Sequence, residues 1–276
     1  MEREIGESLD QIENDERVRV LYAVESGSRA WGFASADSDW DVRFIYARHA
    51  DWYLSVQRRR DVLEYTPSNG LDVTGWDLRK ALGLFAKSNP PLLEWLRSPI
   101  VYREAFSTVQ RLRELSSQYF SPRACMHHYL HMAAGNYREY LQGDPVRVKK
   151  YFYVLRPVLA CRWIEAHGTM PPMEFELLAS DQLPSALRAT VRALHERKCA
   201  GDELASGPRI PAINDFLDSE IARLSAGPAG LSKPAAPNWD TLDELFRACL
   251  TEIWGGQQAD ASDQRRLGHE KRAARK

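Results

Sequence analysis

The sequence contains neither paired cysteines nor a strong metal-binding pattern. The four cysteines are widely separated: Cys125, Cys161, Cys199 and Cys249. Because no Cys-x-x-Cys pair occurs, a zinc ribbon or a dithiol redox motif is excluded, and we expect reduced thiols partly buried in helices. His127 and His131 have helical i, i+4 spacing, but no third ligand is obvious nearby, so we interpret them as residues of a helix surface or an interface.

Long apolar runs and an excess of charge are also missing. No run approaches the length of a membrane span, and residues Met1 to Ile5 lack the apolar segment of a signal peptide. The 37 basic and 38 acidic residues give a net charge of −1, so nucleic acid would need a local basic patch. With 276 residues, 44% of them hydrophobic, we expect a soluble cytoplasmic protein of one large or two small domains, without membrane contact.

The most informative stretch begins at the end of a predicted strand. Residues 18–24 are rich in β-branched and aromatic side chains and lead into Ser26, Gly27 and Ser28, which is typical of a strand entering a tight turn. A short helix from Arg29 would direct free backbone N–H groups at an anion above Gly27 and Ser28. Glycine permits the close approach and the Ser28 hydroxyl adds a donor, so the turn predicts phosphate binding.

A second predicted strand follows directly and carries two aspartates. Asp39 and Asp41 are two residues apart, and on a strand this spacing directs both carboxylates to the same side. Such like charges repel unless a cation lies between them, and hard oxygen ligands are what Mg²⁺ prefers. A Gly-Ser turn or an Asp-x-Asp pair alone is usually structural, but the two in this order, each beside a strand, indicate a phosphate site next to a metal site.

With these motifs the sequence resembles the nucleotidyltransferase superfamily typified by DNA polymerase β, which combines a Gly-Ser turn with Asp-x-Asp. It resembles more closely the RlaP (YcgL-like) family of bacterial and phage predicted nucleotidyltransferases. The closer resemblance extends to about residue 255 and is carried by five segments: Glu25–Gly32, Asp37–Arg43, Leu71–Asp77, Leu93–Leu96 and Lys149–Pro157. It implies the fold and the type of reaction, but it says little about the substrate.

The expected fold is α+β. The resemblance implies an N-terminal polymerase-β-type nucleotidyltransferase domain, a mixed sheet with helices, followed by an all-helical nucleotide- or substrate-binding domain. Patterns change from strand-like to helical near residue 100, so we place these domains at residues 1–100 and 101–256. Residues 257–276 are polar and basic, and we predict a disordered tail. Helical periodicity predicts seven further elements: residues 3–14, 104–119, 123–141, 145–167, 184–199, 211–225 and 239–254.

The superfamily also needs a third carboxylate, on a strand beside the Asp-x-Asp strand, and in the family pattern Asp72 is the fitting position. Glu64 is the alternative, and a solvated strand-end role for Asp72 stays open because one sequence does not show strand register. The resemblance thus implies that Asp39, Asp41 and Asp72 bind metal. We expect two Mg²⁺ ions, with Mn²⁺ as an alternative. Gly27, Ser28 and Arg29 would bind the nucleotide.

One predicted helix adds a second set of nucleotide-binding candidates. Lys149, Tyr153 and Arg156 have i, i+4, i+7 spacing and share one face. A lysine and a guanidinium neutralise phosphate oxygens and a phenol can stack on a base, so this face is predicted to form one wall of a nucleoside triphosphate cleft. An ordinary solvated basic face is the alternative.

Together these features predict a metal-dependent nucleotidyltransferase that moves a nucleoside monophosphate from a nucleoside triphosphate to an acceptor hydroxyl. We expect the acceptor to be RNA, in end addition or repair, because the resembled family is associated with RNA repair. Two other functions stay open. One is nucleotidylation of a protein or a small molecule, and the other is a non-catalytic nucleotide- or RNA-binding module on the same scaffold.

Overall fold

The computed structural model describes residues 1–66, 70–201, 206–227 and 236–255. Its centre is a mixed sheet of five strands: β1 (Val18–Glu25), β2 (Trp40–Arg48), β3 (Val62–Tyr65), β4 (Leu71–Asp77) and β5 (Val101–Glu104). The strand order is β3-β4-β2-β1-β5. Strands β2 and β4 are parallel, and the other neighbouring pairs are antiparallel. This mixed sheet, followed by helices, confirms the predicted α+β class.

Helices precede, interrupt and follow the sheet. Those before the end of β5 are α1 (Glu2–Glu16), α2 (Gly27–Ala30), α3 (Ala50–Tyr53), α4 (Leu78–Ala86) and α5 (Pro90–Trp95). Those after β5 are α6 (Thr108–Tyr119), α7 (Pro122–Tyr140), α8 (Lys150–His167), α9 (Phe175–Gln182), α10 (Ser185–Cys199), α11 (Pro211–Ser225) and α12 (239–255). Two of these helices begin after residues whose side chains favour the N-cap position. Asp77 and Asn89 accept hydrogen bonds from the first turns of α4 and α5.

Different elements pack on the two faces of the sheet, and this packing explains why β1 is apolar along nearly its whole length. Helix α1 buries Ile5, Leu9 and Ile12 against one face. The other face packs on the helical part of the chain, where one continuous apolar cluster runs from Leu21 to Trp254. Because β1 lies inside the sheet and is covered on both sides, its residues form a nearly continuous apolar run rather than an alternating one.

Three predicted boundaries differ from the structure. The sheet continues past residue 100, because β5 pairs with β1, so the helix predicted over 104–119 begins only at Thr108. The helix predicted from 145 begins at Lys150, because Val146 instead forms a bridge with Gly207. Helix α9 was not predicted. The division into two domains stays a prediction, and the predicted tail, 257–276, lies outside the described residues.

All four cysteines lie in the described ranges of the chain. All four thiols are free; those of Cys125, Cys161 and Cys249 are buried in helices, and Cys199 is exposed at the end of α10. Across the described ranges, no helix combines the length and the apolar character that crossing a membrane requires.

Candidate active site

The Gly-Ser turn lies directly against the second aspartate of the Asp-x-Asp pair. Strand β1 ends at Glu25, and the chain turns through Ser26, whose N–H donates to the carbonyl of Asp41 at 2.8 Å. Gly27 has a φ of +62°, and a Cβ there would lie 2.2 Å from Asp41 Oδ2. Only glycine satisfies both the left-handed backbone and this close approach. The turn and the carboxylate therefore form one compact unit, with Ser28 buried beside it.

Strand register brings a second carboxylate to Asp41. In the parallel pairing of β2 with β4, Asp41 lies opposite Asp72 and Arg43 lies opposite Thr74. Arg43 Nη2 donates to Asp41 Oδ1 at 3.0 Å and to Asp72 Oδ2 at 2.9 Å. Thr74 Oγ1 donates to Asp72 Oδ1 at 3.2 Å. Two carboxylates from different strands thus converge on one point near the N-terminal ends of β2 and β4, beside the Gly27 turn.

Arg43 occupies the space between these carboxylates. Its guanidinium also donates to the backbone carbonyls of Val42 and Asp72, and its side chain is only 19% exposed. In the described part of the chain, no group of three or more histidine, cysteine, aspartate or glutamate side chains is arranged to hold a metal ion. Arg43 bridges Asp41 and Asp72, and Asp39 is exposed in the preceding loop, so metal binding by the three aspartates stays a prediction.

The chemistry of these residues nevertheless fits a hard divalent cation. Burial raises the pKa of Asp41, the Arg43 guanidinium lowers it, and the nearby charges of Asp72 and Asp39 raise it further. Repulsion among three neighbouring carboxylates is reduced when a cation binds them, and their oxygen atoms are ligands that Mg²⁺ prefers. Asp39, Asp41 and Asp72 are thus the residues that could hold a metal here.

The alternative third carboxylate, Glu64, lies farther from the pair. Its strand, β3, is separated from β2 by β4, and Glu64 is paired in register with Thr74 rather than with an aspartate. Its carboxylate, which is 58% exposed, forms an ion pair with Arg60. The geometry therefore favours Asp72 over Glu64 as the partner of Asp41.

Glu25 is a functional candidate that the sequence analysis missed. It is fully buried, and its carboxylate accepts hydrogen bonds from the Asp41 N–H at 2.9 Å and from the Tyr102 hydroxyl at 2.5 Å. Burial raises the pKa of Glu25, and these two hydrogen bonds oppose the shift. Glu25 thereby fixes the start of β2 against β1 and β5. A glutamate at the end of an otherwise apolar strand, just before the turn, was the available signal.

Arg29 shapes the loop between the turn and the aspartates. Its Nη2 donates to the carbonyl of Ser38 at 2.6 Å and its Nε donates to that of Asp39 at 3.2 Å. The guanidinium also stacks over the ring of Trp40 at 3.8 Å. These contacts hold the backbone at Asp39, so the structure gives Arg29 a positioning role, and direct contact with a nucleotide stays a prediction.

The helical part contributes Tyr153 and two lysines to this site. Burial raises the pKa of Tyr153, and the charges of Asp41 and Asp39 raise it further, so its phenol lies within electrostatic range of these carboxylates. Lys149 is the N-cap residue of α8. Burial lowers the pKa of Lys198 on α10, and the charge of Lys149 lowers it further. The two lysines therefore lie within electrostatic range of each other, although they are far apart in the sequence.

Lys198 is the second residue that the sequence analysis missed. Its Nζ donates to Ser35 Oγ at 3.0 Å and to Ser38 Oγ at 3.4 Å, so it holds the loop that carries Asp39. No local motif marks this lysine, because it lies in a helix of ordinary composition. Only the packing of α10 against residues 32–39 brings it to the site.

Arg156 does not lie on the open face where it was predicted. Its side chain is 2% exposed, and Nη1 donates to Glu94 Oε1 at 2.8 Å. The guanidinium stacks over Trp31 at 4.4 Å, and the Trp31 Nε1–H donates to Glu94 Oε2 at 3.3 Å. A buried position on α8 forces the charge to pair inside the protein rather than face a cleft. Arg156 therefore anchors Trp31, the residue that ends α2, and through it the turn.

A protein-family model and a known bacterial protein both match most of this chain. The family model RlaP, described as the RNA repair pathway DNA polymerase beta family, matches residues 1–248. The uncharacterized protein YcgL of Bacillus subtilis (strain 168) is 48% identical over 255 residues, which are 92% of this chain and 98% of that protein.

One solved structure is also similar. A crystal structure of a nucleotidyltransferase-like protein from Exiguobacterium sibiricum 255-15 has 11% sequence identity and a TM-score of 0.32, over 80% of this chain and 75% of that chain. This similarity is too low to support any argument about the site.

Proposed function

The chain belongs to the RNA repair pathway DNA polymerase beta family, and from that premise we propose that it transfers a nucleoside monophosphate from a nucleoside triphosphate to a hydroxyl group of RNA. The observation that carries the proposal is the strand register that sets Asp41 beside Asp72, next to the Gly27 turn. Phosphate and carboxylate sites in contact are what phosphoryl transfer through a metal requires.

Some residues of the site hold the nucleotide, and one faces the acceptor. The backbone of the turn at Gly27 and the hydroxyl of Ser28 bind the outer phosphates, and Lys149 neutralises their charge from the helical side. Tyr153 lies where a base or a ribose can pack on its ring. Asp72 faces the acceptor.

Transfer is an in-line displacement at the α-phosphorus. A bond forms between the acceptor oxygen and phosphorus, the bond to the bridging oxygen of the β-phosphate breaks, and pyrophosphate leaves. The proton of the hydroxyl passes to Asp72 and on to water. Two Mg²⁺ ions, or Mn²⁺ in their place, would be held by Asp39, Asp41 and Asp72 and would supply charge neutralisation at the phosphates and acidify the hydroxyl.

A labelled-nucleotide assay tests this proposal. The protein is incubated with each α-labelled nucleoside triphosphate and Mg²⁺, together with RNA, protein or small-molecule acceptors, and we expect label on RNA. The double variant Asp39→Asn with Asp41→Asn should lower transfer at least about 10³-fold, because it removes charge at nearly constant shape. Asp37→Asn, a change of an exposed carboxyl in the same loop, is the control and should stay active.

The remaining outcomes separate the alternatives. Label on protein or on a small molecule, and none on RNA, would keep the reaction and replace the acceptor. Nucleotide binding without transfer to any acceptor would indicate a non-catalytic module. Transfer at the normal rate by the double variant would show that Asp39 and Asp41 do not hold the metal.

A further inference from the structure

A cavity outside the carboxylate site lies between helices α9 and α10. Its volume is about 320 Å³, and Phe175, Leu183 and Val191 are among its apolar lining residues. Arg188 and Arg192 also line it, both with exposed side chains on α10. A cavity of this size with an apolar floor and cationic groups at its rim suits a ligand that carries both a flat apolar group and negative charge.

Arginine, histidine and lysine side chains continue along α10 toward the site described above. Arg188, Arg192, His195 and Lys198 lie within one arc of the helix, and the span from Arg188 to Lys198 is about 15 Å. We call these four residues the α10 basic face. At its far end Lys198 donates to Ser35 and Ser38, the latter being the neighbour of Asp39. The α10 basic face therefore leads from the cavity to the carboxylates.

Two further contacts join the walls of the cavity to the Gly-Ser turn. The Phe175 N–H at the start of α9 donates to the carbonyl of Trp31 at 2.8 Å. His195 Nε2 lies 3.2 Å from the carbonyl oxygen of Gly32. A molecule lying along this face would thus be held in a fixed direction relative to the turn that binds the nucleotide.

We propose that the α10 basic face and its cavity bind the single-stranded RNA acceptor behind its reactive end, with phosphates on Arg188 and Arg192 and a base in the cavity. This inference rests on the proposed function, because it concerns the acceptor of that reaction. Charge complementarity carries it: the chain as a whole has a net charge of −1, so a local basic strip is what could attract a polyanion. An apolar floor beside arginines suits a base next to its phosphate.

One acidic residue, Glu176, also lines the cavity and allows a second test of RNA binding there. Glu176, which is 78% exposed, lies 3.6 Å from His195 Nδ1 and lines the same cavity. Its charge opposes a polyanion, so Glu176→Gln should tighten RNA binding. The two arginines act in the opposite direction. A general effect of charge would give the same two signs, so matched charge changes away from the cavity are needed to assign the binding to this cavity.

Fluorescence anisotropy with a labelled single-stranded RNA ten-mer measures the effect. The double variant Arg188→Ala with Arg192→Ala should raise the Kd at least about tenfold and reduce the salt-dependence slope by about 1.4, or about 0.7 for each lost phosphate contact. Lysine at both positions should restore much of the binding. ATP binding and transfer to a dinucleotide acceptor should not change. Arg111→Ala with Arg123→Ala, which removes two exposed helix arginines elsewhere, is the matched control.

Unchanged RNA binding and transfer in the Arg188, Arg192 variant would overturn the inference while leaving the proposed reaction intact. If the wild-type protein transferred label only to proteins or small molecules, the RNA acceptor itself would be wrong and the inference would fall with it. The same anisotropy measurement with a labelled acidic peptide tests a protein partner. If the Arg188, Arg192 variant lost peptide binding but kept RNA binding, the inference would be overturned and the α10 basic face would be assigned to a protein partner.

Discussion

The backbone of Gly27 lies directly against the Asp41 carboxylate, and a comparison with Gly32 separates two roles of glycine. At Gly27 the backbone needs a positive φ and the space beside it is filled by the Asp41 carboxylate. At Gly32 the φ is +80°, but a Cβ there would meet nothing within 4 Å. The two positions therefore share the backbone requirement and differ in the close approach.

Gly27→Ala should inactivate the protein, while Gly32→Ala should only destabilise it. Both changes cost about 1–2 kcal/mol because alanine is unfavourable at positive φ. Only the first displaces the Asp41 carboxylate, by roughly 1 Å, and such a displacement lowers turnover by about 100-fold. Urea unfolding and nucleotidyl transfer measured on both variants check this. Equal activity of the two variants would contradict the role of the turn.

Lys149 gives a prediction about the outer phosphates. If it contacts the β- or γ-phosphate, Lys149→Ala removes a charge-assisted hydrogen bond worth about 1.5–3 kcal/mol, so the Kd for ATP should rise by roughly one to two decades. Binding of AMP should not change, because AMP lacks these phosphates. Calorimetric titrations with ATP and AMP measure both constants, and Lys87→Ala, at an exposed lysine on the end of α4, is the control. An equal loss for both nucleotides would move Lys149 away from the triphosphate.

At the scale of elements, a buried polar cluster connects α2, α5, α7 and α8. Glu94 on α5 accepts hydrogen bonds from Arg156, from Trp31 and from the hydroxyl of Tyr129 at 2.5 Å. Because Trp31 ends α2, this cluster fixes the orientation of the Gly-Ser turn against the helical part. The side chains of Glu94 and Arg156 are 8% and 2% exposed, so their charges depend on each other.

Removing only the charge of Arg156 should strongly destabilise the protein, whereas removing the charges of both Arg156 and Glu94 should not. Arg156→Met leaves Glu94 buried without its cation and is expected to destabilise the protein by about 3–5 kcal/mol. Adding Glu94→Gln removes the remaining charge. The amide oxygen can still accept from Trp31 Nε1–H and the amide NH2 can donate to the Tyr129 hydroxyl oxygen, so most of that stability should return. Urea unfolding measures the series. Arg3→Met, at an ion pair with Glu7 whose side chains are 89% and 62% exposed, should cost far less.

At the scale of the whole molecule, buried carboxyls set how stability depends on pH. Asp77 is 1% exposed, and burial raises its pKa above the ordinary value of 3.8, although the Tyr53 hydroxyl and the Arg79 N–H donate to it. The folded state therefore binds more protons than the unfolded chain in the interval above pH 3.8. Through this group, stability falls as the pH rises across that interval.

Asp77→Asn should remove that contribution. Asparagine still caps α4 and still meets the Tyr53 hydroxyl, so the fold is kept while the titration is lost. We expect the free energy of unfolding of this variant to fall less than that of the wild type between pH 4 and pH 6 (about the range where a raised carboxyl titrates). Urea unfolding across this range checks the slope, and Asp51→Asn, at a side chain that is 90% exposed, should leave it unchanged.

Local patterns in the sequence were sufficient for most of the elements, and they contributed the candidates for the site. β-Branched runs predicted β1 and β2, turn residues predicted the Gly27 bend, and helical periodicity predicted α1, α7, α10 and α11 to within a few residues. These features depend on interactions between residues close in sequence, where propensity, capping and the i, i+4 rule apply. The Asp39, Asp41 and Asp72 candidates came from the same local patterns and from family resemblance.

Only the tertiary structure decided which of these residues meet. The register of β2 with β4 put Asp72 rather than Glu64 beside Asp41, and it placed Arg43 between the two carboxylates. The burial of α8 turned Arg156 inward to Glu94, and the packing of α10 brought Lys198 to Ser38. Register, burial and helix packing depend on contacts between residues far apart in the chain, and a one-residue shift in register reverses the face of every side chain.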